Sequence, residues 1–151
     1  MGSYQGGHQT AAGTNLTILA LESAAAVRGR VHQLVIGSDA TPADVATEFA
    51  ALRHTAAGAV GTAVTEKPTA ESMFSAAGCN LRGGTMTEPT YEAVATEALL
   101  QFALNQRATF TWIANPGREL ITTAGTANGI GVRSIASGGT PNINLTLAWD
   151  E

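Results

Sequence analysis

Asn142-Ile143-Asn144-Leu145-Thr146-Leu147-Ala148-Trp149 alternates without a break. Ile143, Leu145, Leu147 and Trp149 fall on one face, and Asn142, Asn144, Thr146 and Ala148 on the other. A period of two marks a strand with one face in a core and one towards solvent. Segment 107–114 repeats the pattern, with Phe110, Trp112 and Ala114 against Thr109, Thr111 and Ile113. Segment 30–37 is rich in β-branched residues and stops at Gly37, and segment 14–21 sets Leu16 and Ile18 on one face. Turn signals separate these runs: Gly37-Ser38-Asp39, Asn115-Pro116-Gly117, Ala127-Asn128-Gly129 and Ser137-Gly138-Gly139.

The spacing predicts an all-β chain, folded as an antiparallel β-sandwich or barrel. About eight strands emerge: 14–22, 29–37, 46–55, 92–104, 107–114, 118–123, 129–136 and 142–149. Eight strands fit a jelly roll. Trp112 and Trp149 sit on apolar strand faces and read as core. Thr41-Pro42-Ala43-Asp44 has the residues of a helix start, so a single helical turn before strand 46–55, or a helix there, is expected. Segment 92–104 also contains good helix formers. The Gly-, Ala- and Thr-rich stretch 56–90 reads as a long loop excursion. Residues 1–13 show no period and read as a flexible N-terminal arm, leaving 14–151 as one β-sandwich domain.

Composition narrows the function. The chain has 151 residues, with 28 Ala, 20 Thr and 17 Gly, and only 13% charged residues against 44% hydrophobic. Apolar content is too high for a disordered polar chain. A net charge of −4 provides no basic surface for nucleic acid. No run of 18 apolar residues is present to span a bilayer as a helix, so no membrane partner is expected. No secretory signal is expected at the start of the sequence, which lacks a basic stretch followed by an apolar one.

Three blocks carry a resemblance. The first is Val35-Ile36-Gly37-Ser38-Asp39-Ala40-Thr41-Pro42-Ala43-Asp44 with Ala46-Thr47-Glu48-Phe49 and Arg53-His54-Thr55-Ala56-Ala57-Gly58. The second is Leu104-Asn105-Gln106-Arg107-Ala108-Thr109-Phe110-Thr111-Trp112 with Pro116-Gly117-Arg118-Glu119-Leu120. The third is Ala127-Asn128-Gly129-Ile130-Gly131-Val132, closing on Leu147-Ala148-Trp149-Asp150-Glu151. Together they resemble the capsid cement, or decoration, proteins of tailed bacteriophages, including cyanophages. The segment from Thr69 to Cys79 departs from that pattern, where an Asp/Pro-rich turn is expected.

The resemblance implies a jelly-roll subunit, often a homotrimer, made in the host cytoplasm and placed on the exterior of an icosahedral virion. Its partners would be the major capsid protein and copies of itself. It implies no enzymatic activity and no cofactor. Arg28, Arg107 and Arg118 are then candidates for docking on an acidic shell. Tyr4 and His8 are candidates for contact with the shell or a neighbouring subunit. Two other readings remain open: a carbohydrate-binding jelly-roll module, which would expose aromatics, and a minor tail or head-completion protein.

Catalytic and metal constellations are sparse. His32 and His54 could meet across a sheet with Asp39 or Asp44, and Asp39 to Asp44 could offer a calcium two carboxylates. Neither has the ligand density of a known cage, so no metal site is expected. Cys79 has no adjacent histidine, and no Gly-x-Ser-x-Gly elbow exists. Pairing of Glu48, Glu92, Glu97 and Glu119 into a glycosidase cleft cannot be read from spacing.

Overall fold

A computed structural model of the chain describes residues 2–39, 41–56, 62–69, 77–84 and 86–151. Strands dominate: β1 (Ser3–Ala11), β2 (Leu16–Glu22), β3 (Arg30–Asp39), β4 (Ala46–Ala56), β5 (Thr62–Val64), β6 (Lys67–Pro68), β7 (Asn80–Gly83) and β8 (Thr90–Tyr91). One helical turn, α1 (Val94–Glu97), precedes β9 (Leu100–Asn105), β10 (Phe110–Ile113), β11 (Leu120–Ile121), β12 (Gly129–Ser137) and β13 (Asn142–Asp150).

These strands form two antiparallel sheets. The first runs β10–β3–β13–β1–β6, with β11 also on β3. The second runs β5–β7–β2–β12–β4–β8, with β9 also on β4. The long strands pair as a nest: β1 with β13, β2 with β12, β3 with β10 and β4 with β9. The expected all-β sandwich is therefore the fold.

β13 has the alternation its sequence announces. Ile143, Leu145, Leu147 and Trp149 are buried, and Asn142, Asn144 and Thr146 are exposed. Leu34 and Ile36 join them from β3, while Ile18, Leu19, Leu21, Phe49, Leu81 and Val132 come from the second sheet. Ala148, on the outward face, is buried too. Its small side chain lies between Gln5 and Gln33 of the flanking strands.

Four expectations need correction. Residues 3–11 are not a flexible arm but strand β1, paired to β13 along its whole length. Tyr4, Gly6 and His8 face inward opposite Trp149, Leu147 and Leu145. A Cβ at Gly6 would come within 2.3 Å of Leu81, and one at Gly83 within 2.5 Å of the His8 ring. Two glycines thus let the sheets approach closely here, with few large apolar residues to advertise the strand.

Second, within the stretch 56–90 the described residues carry β5, β6 and β7; residues 57–61, 70–76 and 85 lie outside the described residues. These short strands use side chains to complete their backbone hydrogen bonds, since Leu81 N donates to Glu66 Oε1 at 2.7 Å. Third, residues 41–45 show no helical turn (Ala40 lies outside the described residues), and 46–56 is a strand, not a helix. Fourth, 92–104 divides into helical turn α1 and strand β9, and the strand count rises above eight through β1 and the short strands β5, β6, β7 and β8.

Leu145 is 1% exposed, so Leu145→Ala should cost about 2–5 kcal/mol in urea unfolding, and Leu145→Asp should prevent folding. Thr146→Ala, on the opposite face, should change stability by under about 0.5 kcal/mol. Equal effects at the two positions would show that the inward face is wrongly assigned.

Candidate functional site

The residues expected at an interface do not gather in one place. Tyr4 is 4% exposed and stacks on Trp149, with ring centroids 6.0 Å apart. It is a core residue and is withdrawn from the candidate surface. His8 is half-buried against Gly83, and burial lowers its pKa from the ordinary 6.5. Arg28, Arg107 and Arg118 are all exposed. Arg28 leads into β3, and Arg118 lies just before β11, which pairs with the same end of β3. Arg107 lies in the β9–β10 turn, beside the far end of β3, and its Nε donates to Pro42 O at 3.4 Å. The three arginines therefore divide between the two ends of the sandwich.

The histidines do not meet either. His32 lies in the first sheet, with Nε2 3.7 Å from Asp150 Oδ1. His54 lies buried in the second sheet, with Nδ1 3.1 Å from Ala127 O. Among the described residues no three of His, Cys, Asp and Glu cluster as metal ligands. Asp44 accepts a hydrogen bond from Asn105 Nδ2 at 2.7 Å, and Asp39 accepts one from Gln9. Asp39 also lines a cleft of about 260 Å³ at one end of the sandwich, with Gln106, Thr140 and Asn142. Gln106, buried beneath it, is fixed by Ala43 N and Thr47. Of the carboxylates whose pairing the spacing left open, Glu48 accepts from Gln101 and Glu97 from Ala93 N.

Two polar clusters were invisible in the sequence. Glu88 Oε1 accepts Thr17 N at 2.8 Å, and its Oε2 accepts Thr17 Oγ1 at 2.6 Å and lies 3.3 Å from Arg133 Nε. The Arg133 guanidinium sits 4.6 Å from the Tyr91 ring centroid, and the Tyr91 hydroxyl shares a 2.9 Å hydrogen bond with Thr17. Burial raises the Tyr91 pKa. A Cβ at Gly131 would come within 2.0 Å of the Tyr91 hydroxyl, so this glycine makes the seat for the ring. The cluster is a clamp holding segment 86–91 across the second sheet. No spacing rule signals it, because its members lie 71 or more residues from Thr17 in sequence or come from a third strand.

The second cluster holds the only cysteine. Glu151 accepts hydrogen bonds from Gly78 N (2.7 Å), Cys79 N (2.8 Å) and Trp149 Nε1 (3.1 Å). Burial, reinforced by the Glu151 charge, pushes the Cys79 thiol up to about 12. This thiol is a small core residue, not a nucleophile.

The surface that departs most from a closed fold is the β9–β10 side. Leu100, Phe102, Leu104, Phe110, Trp112 and Leu120 point towards the core, yet each is only half-buried. Phe102 stacks on Phe110 at 4.3 Å between centroids and on Phe49 at 5.6 Å. Ile113, at the end of β10, is 67% exposed. Both strands are sheet edges: among the described residues β9 pairs only with β4, and β10 only with β3. This half-covered apolar seam is the best candidate interaction surface on the molecule. Among the described residues every aromatic side chain is buried or half-buried, so none stands out as a sugar platform.

Compared with protein-family models, curated proteins and solved structures, the chain finds no match.

Two chemical predictions follow from these environments. Cys79 should resist maleimide at pH 8 in the folded protein and react fully in urea; labelling of the native protein at a free-thiol rate would show the site to be open. Because the folded thiol pKa lies above its ordinary 9.0, its stabilising contribution should be lost as pH rises from about 9 towards 12. His8 runs the other way. Its folded pKa lies below 6.5, so stability should fall as pH drops below that value, and His8→Gln should flatten this part of the profile.

Proposed function

We propose that this chain is a structural virion protein of a tailed bacteriophage, a decoration subunit that binds the outer surface of the major capsid protein and stabilises the head. Its nested strand order supports reading the sandwich as a jelly roll. Folding a ribbon of four hairpins places strands one, eight, three and six in one sheet and two, seven, four and five in the other. β1–β13–β3–β10 and β2–β12–β4–β9 follow that order. Resemblance of the three sequence blocks supplies the particle and the partner.

The observation that carries the reading is the half-buried seam on the β9–β10 side. A decoration subunit has no reaction to perform; its contribution is surface. An open apolar seam gains free energy when covered, at roughly 25 cal/mol per Å² of apolar area. Binding only to the assembled shell stabilises it by mass action, and a symmetric array multiplies weak contacts. The outward face of β13 and its neighbours suits such packing: Gln5, Gln9, Asn144, Thr146, Gln33 and Thr111 are uncharged hydrogen-bonding groups. The buried and half-buried aromatics do not favour the carbohydrate-binding alternative.

In virions of the phage that encodes it, the chain should be present in a fixed ratio to the major capsid protein by quantitative mass spectrometry. Heads lacking it should release DNA at a lower temperature than heads to which purified protein is restored. Absence of the chain from purified particles would sink the proposal.

A further inference from the structure

In the second sheet β7 and β8 are separated by β2, β12 and β4, so the chain that joins them must cross the outer face of that sheet. Residues 86–91 end this crossing as a strap. The register puts Thr17, Gly129, Gly131, Arg133, Leu52 and His54 together on the face it covers. The strap is lightly held. Beyond β8 its described backbone bonds to β4 are Glu92 N to Arg53 O at 3.0 Å and Leu99 N to Ala51 O at 2.9 Å. The helical turn α1, between them, buries none of its residues. The anchor is Tyr91, seated on Gly131 with its hydroxyl on Thr17.

His54 lies beside that anchor. It is 0% exposed, and its ring meets the Tyr91 ring edge-on with centroids 5.5 Å apart. A carbonyl only accepts, so the 3.1 Å contact with Ala127 O places a proton on Nδ1. Ala127 has a φ of 73°, a left-handed backbone that a residue with a β-carbon keeps only where its surroundings impose it. A second proton on the ring would enter at Nε2, which lies over Gly129: a Cβ there would come within 2.5 Å of it.

The charged groups around this face come from every element packed on it. Glu22 of β2 stands across Gly129 from His54 and pairs with Arg82 of β7 at 3.2 Å. Glu88 of the strap pairs with Arg133 of β12 at 3.3 Å. Burial keeps the Tyr91 hydroxyl protonated. Strand alternation turns Arg53 and Glu92 to the other face. The two ion pairs cancel, so burial decides the cost of an imidazolium here.

We infer that residues 86–91 form an acid-released strap, latched by neutral His54 beside Tyr91. Protonation favours an open arrangement in which the ring reaches water. The sandwich stays closed, because the main core, including Ile18, Leu34, Phe49 and Trp149, lies between the sheets and not under the strap. An open-state histidine titrates near its ordinary value of about 6.5, so the strap is latched above that pH. Each pH unit below it raises the open fraction by up to about tenfold. The inference concerns the chain alone and does not rest on the capsid reading.

Native-state hydrogen exchange by NMR, corrected for intrinsic rates, tests it between about pH 6.5 and 5, above the range in which ordinary carboxylates protonate. The Glu92 and Leu99 amides should lose protection by up to about tenfold per pH unit, and the amides of β13 far less. His54→Asn, whose amide keeps a donor near the Nδ1 position, should abolish this dependence. His8→Gln should leave it intact. Glu88→Gln should loosen the strap at every pH without changing the slope. Flat protection in the wild-type chain, equal loss in both sheets, or a slope that survives His54→Asn and disappears in Glu88→Gln overturns the inference. Should His54→Asn fail to fold, the imidazole nitrogen resonances of the wild-type chain decide. They should remain those of a neutral ring while the strap is protected, and an imidazolium under a fully protected strap overturns the latch.

Discussion

The pairing of β13 between β1 and β3 is the constraint on which the rest of the structure depends. Nine residues of β13 align with β1 and nine with β3, so residues 3–11, 30–39 and 142–150 must meet before the first sheet exists. No local contact substitutes for this. β13 also supplies the largest buried side chain, Trp149, which stacks on Tyr4 and donates to Glu151. Glu151 in turn holds the backbone at Gly78 and Cys79, so the strap leading into β7 is tied to the same strand. Folding of such a chain is dominated by long-range closure, and β sandwiches of this kind fold in milliseconds to seconds.

The strands that could be read from sequence are those whose burial is paid for by their own side chains. β13 and β10 place large apolar residues at every second position, and β3 announces itself through its β-branched run, although its buried positions, Val31, Leu34 and Ile36, break the period at a bulge. β1 was unreadable because its inward positions are Tyr4, Gly6, His8 and Thr10. The partner sheet fills the space instead: Leu81 over Gly6, and His8 over Gly83. β5, β6 and β7 were unreadable for another reason. They are short, and carboxylates of Glu66 and Glu151 complete the backbone hydrogen bonding around β7. Among the candidate site residues, solvent exposure of the arginines was legible, but their separation to opposite ends of β3 was not. That separation depends on which strands pair, and pairing is a long-range property. The Thr17–Glu88–Tyr91–Arg133 clamp was hidden in the same way.

Low charge takes on a physical meaning in this fold. Lys67 is the only lysine, and it stands on the short edge strand β6, where it protects the backbone. Several of the remaining charges are committed internally: Glu88 with Arg133, Glu22 with Arg82, Glu66 and Glu151 with backbone N–H groups. The middle of the first sheet's outer face is rich in amides, hydroxyls and small side chains, while Arg30, Asp150 and Asp39 place charge at the two ends of β3. Such a face is weakly hydrated compared with a charged one and loses little on desolvation if its hydrogen bonds are remade across an interface.

The fold thus treats its two flanks oppositely, and the difference cannot come from core packing alone. Leu100, Phe102, Leu104, Phe110 and Trp112 are left half-covered on the β9–β10 side, whereas on the opposite side Leu81 is sealed and Val64 is partly buried. On the opposite side β5, β6 and β7 extend both sheets, and Glu151 fixes the strap that leads into β7. Exposed apolar area of this kind carries an aggregation cost for an isolated monomer, and its placement beside two uncharged edges would compound that cost. A lysine at Ala103 would put a charge on the bare β9 edge and relieve part of that cost, as Lys67 does on the opposite edge strand β6.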